Sequence, residues 1–481
     1  MSGIKGFLTE TAIYGLGSVI SRLFAFFLIP IYIEVLGKSN YANVILIQLV
    51  FTLITFFFAL NSGVFYYYYE YKSKQLKLSI FTSWVAYQLA CLLLLASAFF
   101  FVYPYIHIFF DNSTSETSID KALFYMVASL LPYIVNNTYF NSCRIRRRPI
   151  KATVTIMVEI LLLVLLVIMF LKYYNLGIEG VFLAQLISRG IVSIVILISG
   201  FGTVLISGTI SLKLISRTLS YSWPYFLISS FFWLINSADK FIGTQLLSSH
   251  GDVAYLVLAG QITLPIAVLV DVVRQAYGPY VMSIRKEESA SSTYSAVFSF
   301  VIYCGALVSV GIMGIGPLLI NLLANEEFYA AMKVIPLFAL AATINLMIGQ
   351  FGLGLNLTKN NIYIAVGVII GGIIGVVLNY YLLGVFQIAG AGVAQIISFT
   401  VSASVIYFFS RKKMKIEYEF RWTLFVMIML FLSVIGSFST SFFSGSIIYS
   451  NLGISSFTLL ILFFYGNRKF NFLQLLRKSG E

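Results

Sequence analysis

The chain has very few charged residues for its length. Asp, Glu, Lys and Arg make up only 10% of its 481 residues, whereas ordinary globular domains carry about 25%. Hydrophobic residues make up 59% of the sequence, and the mean hydropathy is +0.94. The polar stretches between the apolar runs are too short to fold alone. This composition predicts an all-α polytopic membrane protein and excludes an extramembrane catalytic domain.

Cysteine is also scarce, and the chain has no motif typical of a cofactor site. Its three cysteines, Cys91, Cys143 and Cys304, have no paired spacing, so they indicate neither a disulfide framework nor a metal site. A phosphate-binding loop, a cluster of metal ligands and a nucleophile triad are all missing. We therefore expect no metal, no cofactor and no enzymatic activity.

Acidic residues are outnumbered by basic ones, which gives a net charge of +13. A nucleic-acid site needs a basic face on a soluble domain, and this sequence has no soluble domain, so we expect no nucleic-acid partner. The positive charge is instead a topology signal.

Apolar runs of about 20 residues between polar breaks predict fourteen transmembrane helices. The predicted spans lie near residues 11–36, 41–69, 79–104, 121–142, 152–173, 181–206, 218–242, 254–283, 294–323, 331–357, 362–383, 390–410, 422–443 and 446–466.

The segments between these spans alternate in charge, which sets the orientation. Most of the 31 basic residues fall in alternate segments, and acidic residues collect in the others. By the positive-inside rule, both termini are cytoplasmic. The basic residues placed inside are Lys5, Lys72, Lys74, Lys77, Arg144, Arg146, Arg147, Arg148, Lys151, Lys213, Arg217, Arg285, Lys286, Lys359, Arg411, Lys412, Lys413, Lys415, Arg421, Arg468, Lys469, Arg477 and Lys478.

An internal repeat indicates a duplication of six helices. The pattern Ile-x-Gly-x-x-x-Ala-Gln-x-Ile-Ser occurs at residues 178–188 and again at 388–398, and Gly-x-x-x-Tyr occurs at 37–41 and at 251–255. Because six is even, the two halves share one orientation, as in transporters built from parallel repeats. We predict a bundle over residues 1–210, a second bundle over 211–415, and two additional helices with a cytoplasmic tail over 416–481.

Several charged residues fall inside the predicted spans. Arg22 lies about 16 Å from the start of its helix, too deep for easy snorkelling, and a charge near the bilayer centre costs roughly 3 kcal/mol. Such residues usually face a solvated cavity. We therefore predict a cationic central cavity whose substrate-binding residues are Arg22, Arg189, Arg274 and Lys240, with Glu159, Asp239 and Asp271 as coupling or structural carboxylates.

Several of these residues have a structural alternative. Asp271 and Arg274 are three apart on one helix, where they can neutralise each other. Asp239 and Lys240 lie near the outer end of their span, which favours an interfacial pair or snorkelling. Glu159 is within reach of the basic cluster 144–148, which favours a structural pair as much as a coupling role.

Two further patterns concern aromatic and small residues. Tyr66 to Tyr69, with Tyr71, are typical of an interfacial aromatic belt, although such rings also stack on sugars. The pattern Gly367-x-x-x-Gly371-x-x-x-Gly375 predicts a face for close helix packing.

The opening of the chain resembles that of a known transporter family. Residues 10–23, ETAIYGLGSVISRL, continue to Ile29-Pro30-Ile-Tyr32 and to the Gly-x-x-x-Tyr pattern at 37–41. This stretch is similar to the start of bacterial polysaccharide-biosynthesis flippases, the O-antigen and capsule repeat-unit translocases of the multidrug, oligosaccharidyl-lipid and polysaccharide exporter superfamily. Residues 236–255 resemble the start of that family's second half.

The resemblance implies two six-helix bundles that alternate between inward-open and outward-open states. Related lipid II flippases have cavity arginines on the first and eighth helices, and Arg22 and Arg274 match these by helix. Lys240 stands where relatives commonly have an arginine; it keeps the charge but lacks the fork geometry that binds phosphate in a bidentate way.

The implied function is translocation of undecaprenyl-pyrophosphate-linked oligosaccharide repeat units from the cytoplasmic to the outer leaflet of the bacterial inner membrane. Expected partners are this lipid-linked oligosaccharide, membrane lipid, and a polysaccharide polymerase with its chain-length machinery. Two alternatives stay open. A multidrug antiporter of the same fold would favour acidic groups in its cavity, and a membrane polysaccharide polymerase would need a large outer loop or a buried acid/base cluster.

Overall fold

The computed structural model describes residues 2–58, 61–110, 116–146, 148–269, 281, 287, 290–440 and 447–470. Within these ranges the chain is helical, with short 3-10 and π segments between the α-helices, and it contains no strand. The predicted all-α fold class is confirmed. The helices are α1 (Ser2–Phe58), α2 (Asn61–Glu70), α3 (Lys74–Ile106), α4 (Glu116–Ala128), α5 (Leu130–Ile145), α6 (Pro149–Ile168), α7 (Gly177–Ile196), α8 (Gly202–Ile206), α9 (Leu212–Leu246), α10 (Val253–Ile262), α11 (Ala290–Leu323), α12 (Ile335–Phe351), α13 (Leu353–Leu357), α14 (Ile362–Phe386), α15 (Ile388–Lys413), α16 (Phe420–Thr440) and α17 (Ile447–Phe470).

A glycine divides α1 into two membrane-crossing segments. A straight helix of 57 residues would extend about 85 Å, nearly three times the hydrocarbon thickness of a bilayer. Gly37 interrupts it with a φ of 75° and a ψ of 172°, a backbone conformation that favours glycine. The break lies between the first two predicted spans, so α1 supplies the first span and the beginning of the second, whose end lies on α2.

The helices account for the fourteen predicted spans. Within the described ranges, twelve stretches are long and apolar enough to cross a membrane. The first, Phe26–Glu70, holds parts of both of the first two predicted spans. The seventh span lies on α9, which has 35 residues but carries several charges and is not among the twelve. Only the first part of the eighth span, through Leu269, lies within the described residues.

The chain divides into two compact units. The first unit holds residues 1–233 and 249–254, and the second holds residues 234–248 and 255–481. Helix α9 therefore begins in the first unit and ends in the second. In the second unit, α16 and α17 pack against α11. The division predicted from the sequence, at residues 210 and 415, stays a prediction.

Three ion pairs join separate segments of the first unit. Lys38 Nζ lies 2.9 Å from Asp252 Oδ1. The other two pairs are Lys121 with Glu179, at 3.1 Å, and Lys172 with Glu34, at 3.0 Å. Lys38 and Asp252 each follow the glycine of one copy of the Gly-x-x-x-Tyr repeat. These contacts link distant parts of the sequence, and the predicted orientation stays a prediction.

The glycines of α14 bring it close to α15. A Cβ atom added at Gly371 would overlap Ser402 Oγ, and one added at Gly375 would lie 2.5 Å from Ser398 Oγ. The serines bond within their own helix, with Ser402 Oγ donating to the carbonyl of Ser398 at 2.9 Å. The helix-packing interpretation of this glycine pattern is thus confirmed.

The two copies of the longer repeat share part of their local environment. Gly180 and Gly390 lie in the first turns of α7 and α15, and both are buried against the end of the preceding helical segment. Four of the equivalent positions, 178/388, 180/390, 184/394 and 188/398, are buried in both copies. This shared pattern supports a duplication of structure as well as of sequence.

Candidate functional site

A buried ion pair lies inside the first unit, where α6 packs against α7. Arg189 Nε is 3.5 Å from Glu159 Oε1. The Arg189 side chain is 11% exposed and the Glu159 side chain 25% exposed. Arg189 Nη1 also donates to Ser129 Oγ at 3.0 Å. Ser129 lies at the junction of α4 and α5. The guanidinium of α7 is therefore contacted both by α6 and by this junction.

Helix α5 contributes a second set of contacts to the same pair. Asn136 Nδ2 donates to Glu159 Oε2 at 3.0 Å and to the backbone carbonyl of Arg189 at 3.2 Å. The guanidinium carbon lies 4.3 Å from the ring centre of Phe51 and 5.7 Å from that of Tyr133. A cation over an aromatic face gains electrostatic stabilisation as well as packing. We call the group formed by Ser129, Asn136, Glu159 and Arg189 the Arg189 network.

The sequence interpretation of Glu159 was partly wrong. It placed this carboxylate within reach of the basic cluster 144–148, but the basic partner in the structure is Arg189. The reason is that α6 and α7 pack alongside each other, so that residues near the middle of each helix meet. The charge of Arg189 is compensated here, and it offers a free cation to an anionic ligand only if it leaves Glu159.

A second buried ion pair lies on α9, in the second unit. Lys240 Nζ is 2.9 Å from both carboxylate oxygens of Asp239. It also donates to the backbone carbonyl of Asn236 at 2.8 Å and lies 5.5 Å from the ring centre of Phe338. The side chains are 9% and 5% exposed for Lys240 and Asp239, respectively.

The ammonium of Lys240 thus has three acceptors for its three N–H groups. The predicted pairing of Asp239 with Lys240 is present, but the pair is buried within the unit instead of snorkelling to an interface. The charges of Lys240 and Asp239 neutralise each other within α9. In this arrangement Lys240 does not present its charge to a ligand.

A glutamine of the repeat contacts the same turn of α9. Gln395 Nε2 donates to Asn236 Oδ1 at 2.9 Å. Its sequence counterpart in the first unit, Gln185, is buried, and its Oε1 accepts no hydrogen bond from the residues that the structure describes. Ser129, Asn136 and Asn236 were missed by the sequence analysis, because uncharged polar residues in apolar helices gain their significance only from the partners that packing gives them.

Three predicted site residues receive no structural description. The side chain of Arg22, on α1, lies outside the described residues, and so do Asp271 and Arg274 entirely. Their predicted roles stay predictions. No group of three or more metal-ligating side chains is found within the described part of the chain.

Comparison with known proteins agrees with this architecture. Residues 275–448 match the model of a family described as "Polysaccharide biosynthesis protein". No curated protein is a significant match to the sequence.

Solved structures resemble nearly the whole chain. The lipid II flippase MurJ, in an inward closed conformation, is similar with a TM-score of 0.75 and 14% identity over 95% of this chain and 99% of that one. The MATE transporter VcmN of Vibrio cholerae, in a bent form, has a TM-score of 0.60 and 15% identity over 85% of this chain and 96% of its own. A transporter of the MOP superfamily from Pyrococcus furiosus has a TM-score of 0.59 and 14% identity over 85% and 95% of the two chains.

These likenesses establish the fold, and they confirm the resemblance that the sequence indicated. The chain is a multi-pass membrane protein with the fold shared by MurJ and the MATE transporters, and part of it matches a polysaccharide-biosynthesis family.

Proposed function

We propose that the chain is a flippase that moves undecaprenyl-pyrophosphate-linked oligosaccharide repeat units from the cytoplasmic to the outer leaflet of a bacterial inner membrane. Sugars and a diphosphate do not cross hydrocarbon unaided, because burying polar groups without partners is strongly unfavourable. In this proposal a polar cavity shields the head group while the polyprenyl tail stays in lipid. Transport requires no covalent chemistry on the cargo, and no catalytic group is assigned.

One observation carries the proposal: a polysaccharide-biosynthesis family model matches residues 275–448 of a chain that has the fold of a lipid II flippase along 95% of its length. The proposed cargo contacts are Arg22 and Arg274, with Arg189 joining them after separation from Glu159. Cationic side chains offset the charge of a diphosphate through charge-assisted hydrogen bonds.

The multidrug antiporter of the same fold is the second candidate. Cationic drugs would favour an unpaired carboxylate in the cavity. Glu159 and Asp239 instead each have a basic partner at ion-pair distance. This pairing favours the flippase over the drug antiporter.

Deletion of the gene in its parent bacterium tests the proposal. We expect surface glycan to disappear and the lipid-linked oligosaccharide to accumulate. The oligosaccharide is still assembled on the cytoplasmic leaflet, but it no longer reaches the outer leaflet. Surface immunoblots and mass spectrometry of extracted lipids measure these two pools. Expression of the chain from a plasmid should restore both.

The alternatives give different results in the same strain. A drug antiporter would leave the surface glycan intact and change resistance to cationic drugs. A polymerase would leave single repeat units on the outer surface. Either outcome would contradict the proposed function.

A further inference from the structure

Five tyrosines of α2, α9 and the segment after α2 come together at one end of the first unit. The rings of Tyr66 and Tyr221 stack with their centres 4.6 Å apart and their planes 21° apart. Tyr225 stacks on Tyr221 at 6.3 Å, and Tyr67 stacks on Tyr71 at 6.0 Å. Tyr67 also meets Tyr221 edge to face at 6.4 Å. We call these five residues the tyrosine platform.

A close crossing of α2 and α9 builds the platform. The backbone N–H of Gly63 donates to Ser222 Oγ at 2.9 Å, and a Cβ at Gly63 would lie 2.8 Å from that oxygen. Only a residue without a side chain permits this approach. Tyr66 lies about one helical turn beyond Gly63, and Tyr221 is the neighbour of Ser222, so the crossing sets their rings face to face.

The segment before α9 is fixed as well. The backbone N–H of Gly208 donates to Thr82 Oγ1 at 3.0 Å, and that of Ser211 donates to Ser83 Oγ at 3.0 Å. These bonds attach residues 208–211 to α3. The start of α9, and the tyrosines that follow it, are therefore held against the first unit.

One side of the platform is packed and the other is open. Tyr67 and Tyr71 pack against a buried cluster that includes Phe81 and Trp84. Tyr66 is 48% exposed and Tyr221 37% exposed. The exposed parts of Tyr66 and Tyr221 leave aromatic surface accessible to a ligand, and the packing of Tyr67 and Tyr71 fixes the arrangement of the rings.

One basic group contacts the platform, and two others contact neighbouring rings of α2 on its packed side. Arg217 Nη1 donates to the hydroxyl of Tyr71 at 3.0 Å. The guanidinium carbon of Arg144 lies 5.7 Å from the ring centre of Phe65, and Lys77 Nζ lies 4.9 Å from that of Tyr68. The positive-inside rule predicts all three cations on the cytoplasmic side, where a cargo that is assembled inside the cell would first meet the protein.

This combination suits a glycan attached to an anion. The C–H bonds on one face of a pyranose carry partial positive charge, and the face of an aromatic ring is negative. Hydroxyls at the ring edges can exchange hydrogen bonds with those of the sugar. An interfacial belt requires rings at the membrane surface, but it does not require rings from two helices to be stacked in a fixed orientation.

We propose that the tyrosine platform is a carbohydrate subsite that binds sugar rings of the lipid-linked oligosaccharide at the cytoplasmic end of the first unit, with Arg217 beside the diphosphate. This inference rests on the proposed function and assigns the place where the sugar part of the cargo is first bound. The tyrosines provide recognition of flat sugar faces, which tolerates differences in sugar identity.

Binding measurements on the full chain in lipid nanodiscs test this subsite. The probes are the undecaprenyl-linked glycan fraction extracted from the deletion strain and undecaprenyl pyrophosphate without sugar. Tyr66→Leu and Tyr221→Leu keep apolar volume but lose the flat face. Each should lower affinity for the glycan-bearing lipid by about five- to tenfold, the effect of one lost aromatic contact, without changing affinity for the bare lipid. Tyr221→Phe should retain most of the affinity for both.

The exposed pair Tyr380 and Tyr381, on α14, provides the matched control. Their leucine variants should bind both probes as the unmodified chain does. Equal loss for both probes in Tyr66→Leu and Tyr221→Leu, or no loss, would overturn the subsite and identify the platform as a lipid-facing belt. If the unmodified chain binds neither probe, the proposed function itself fails, and the subsite fails with it.

Discussion

Replacement of Arg22 by alanine is expected to abolish surface glycan while the chain remains folded in the membrane. A guanidinium at this depth is costly unless it has a solvated or functional environment. If it contacts the cargo diphosphate, its removal loses a charge-assisted interaction worth about 2–5 kcal/mol. Surface immunoblots, normalised to the amount of membrane-inserted protein, measure the effect.

Two further variants test whether the effect is specific to the guanidinium at position 22. Arg22→Lys should restore transport in part, since it keeps the charge but loses the fork geometry. Arg411→Ala removes an exposed arginine at the end of α15 and should leave transport normal. Normal transport per folded molecule in Arg22→Ala would refute its role as a cargo contact, and a loss of folded protein would instead identify a structural arginine.

Removal of the Glu159 carboxylate is expected to destabilise the first unit more than removal of the whole ion pair. In Glu159→Ala, Arg189 stays buried without its carboxylate, and breaking a buried pair in this way costs about 3–5 kcal/mol. The partial exposure of Glu159, at 25%, places the expected value at the lower end. The double variant Glu159→Leu with Arg189→Met removes both charges and fills the space, so it should approach the unmodified stability.

Thermal unfolding of the purified variants, monitored by size-exclusion chromatography, measures their order of stability. The transport assay then separates a cargo role of Arg189 from a purely structural one. A stable double variant that still exports glycan would exclude Arg189 as a required cargo cation. If Glu159→Ala and the unmodified chain unfold at the same temperature, the expected stabilisation by this ion pair is contradicted.

The sequence predicted the helices well because the bilayer constrains them strongly. A span needs about 20 apolar residues, and a basic segment must stay on the cytoplasmic side, so length and charge locate most helices without any tertiary information. The boundary between the first two predicted spans is an example, since it falls at residues 37–40, where Gly37 interrupts α1. The glycines of α14 are another, because small residues spaced by four define one helix face.

The candidate site was less predictable because side-chain partners depend on how helices pack. Depth in a span identified Arg189 and Glu159 as unusual, but it gave no sign that they pair with each other. Asp239 and Lys240 are adjacent in sequence, and this adjacency predicted their pairing but not their burial. The tyrosine platform depends on Tyr221 of α9, which is separated from Tyr66 by most of the first repeat. No local pattern links those two rings.

Transbilayer movement in vesicles tests the central claim most directly. Purified chain is reconstituted into proteoliposomes that contain the lipid-linked glycan in both leaflets, and a membrane-impermeant oxidant of sugars then reacts with the outer leaflet. Separate samples carry an imposed ion gradient or membrane potential. The account predicts that the unmodified chain exposes the inner-leaflet glycan to the oxidant, whereas protein-free vesicles keep it protected. Protection equal to that of protein-free vesicles under every condition would contradict the assignment of this chain as a flippase.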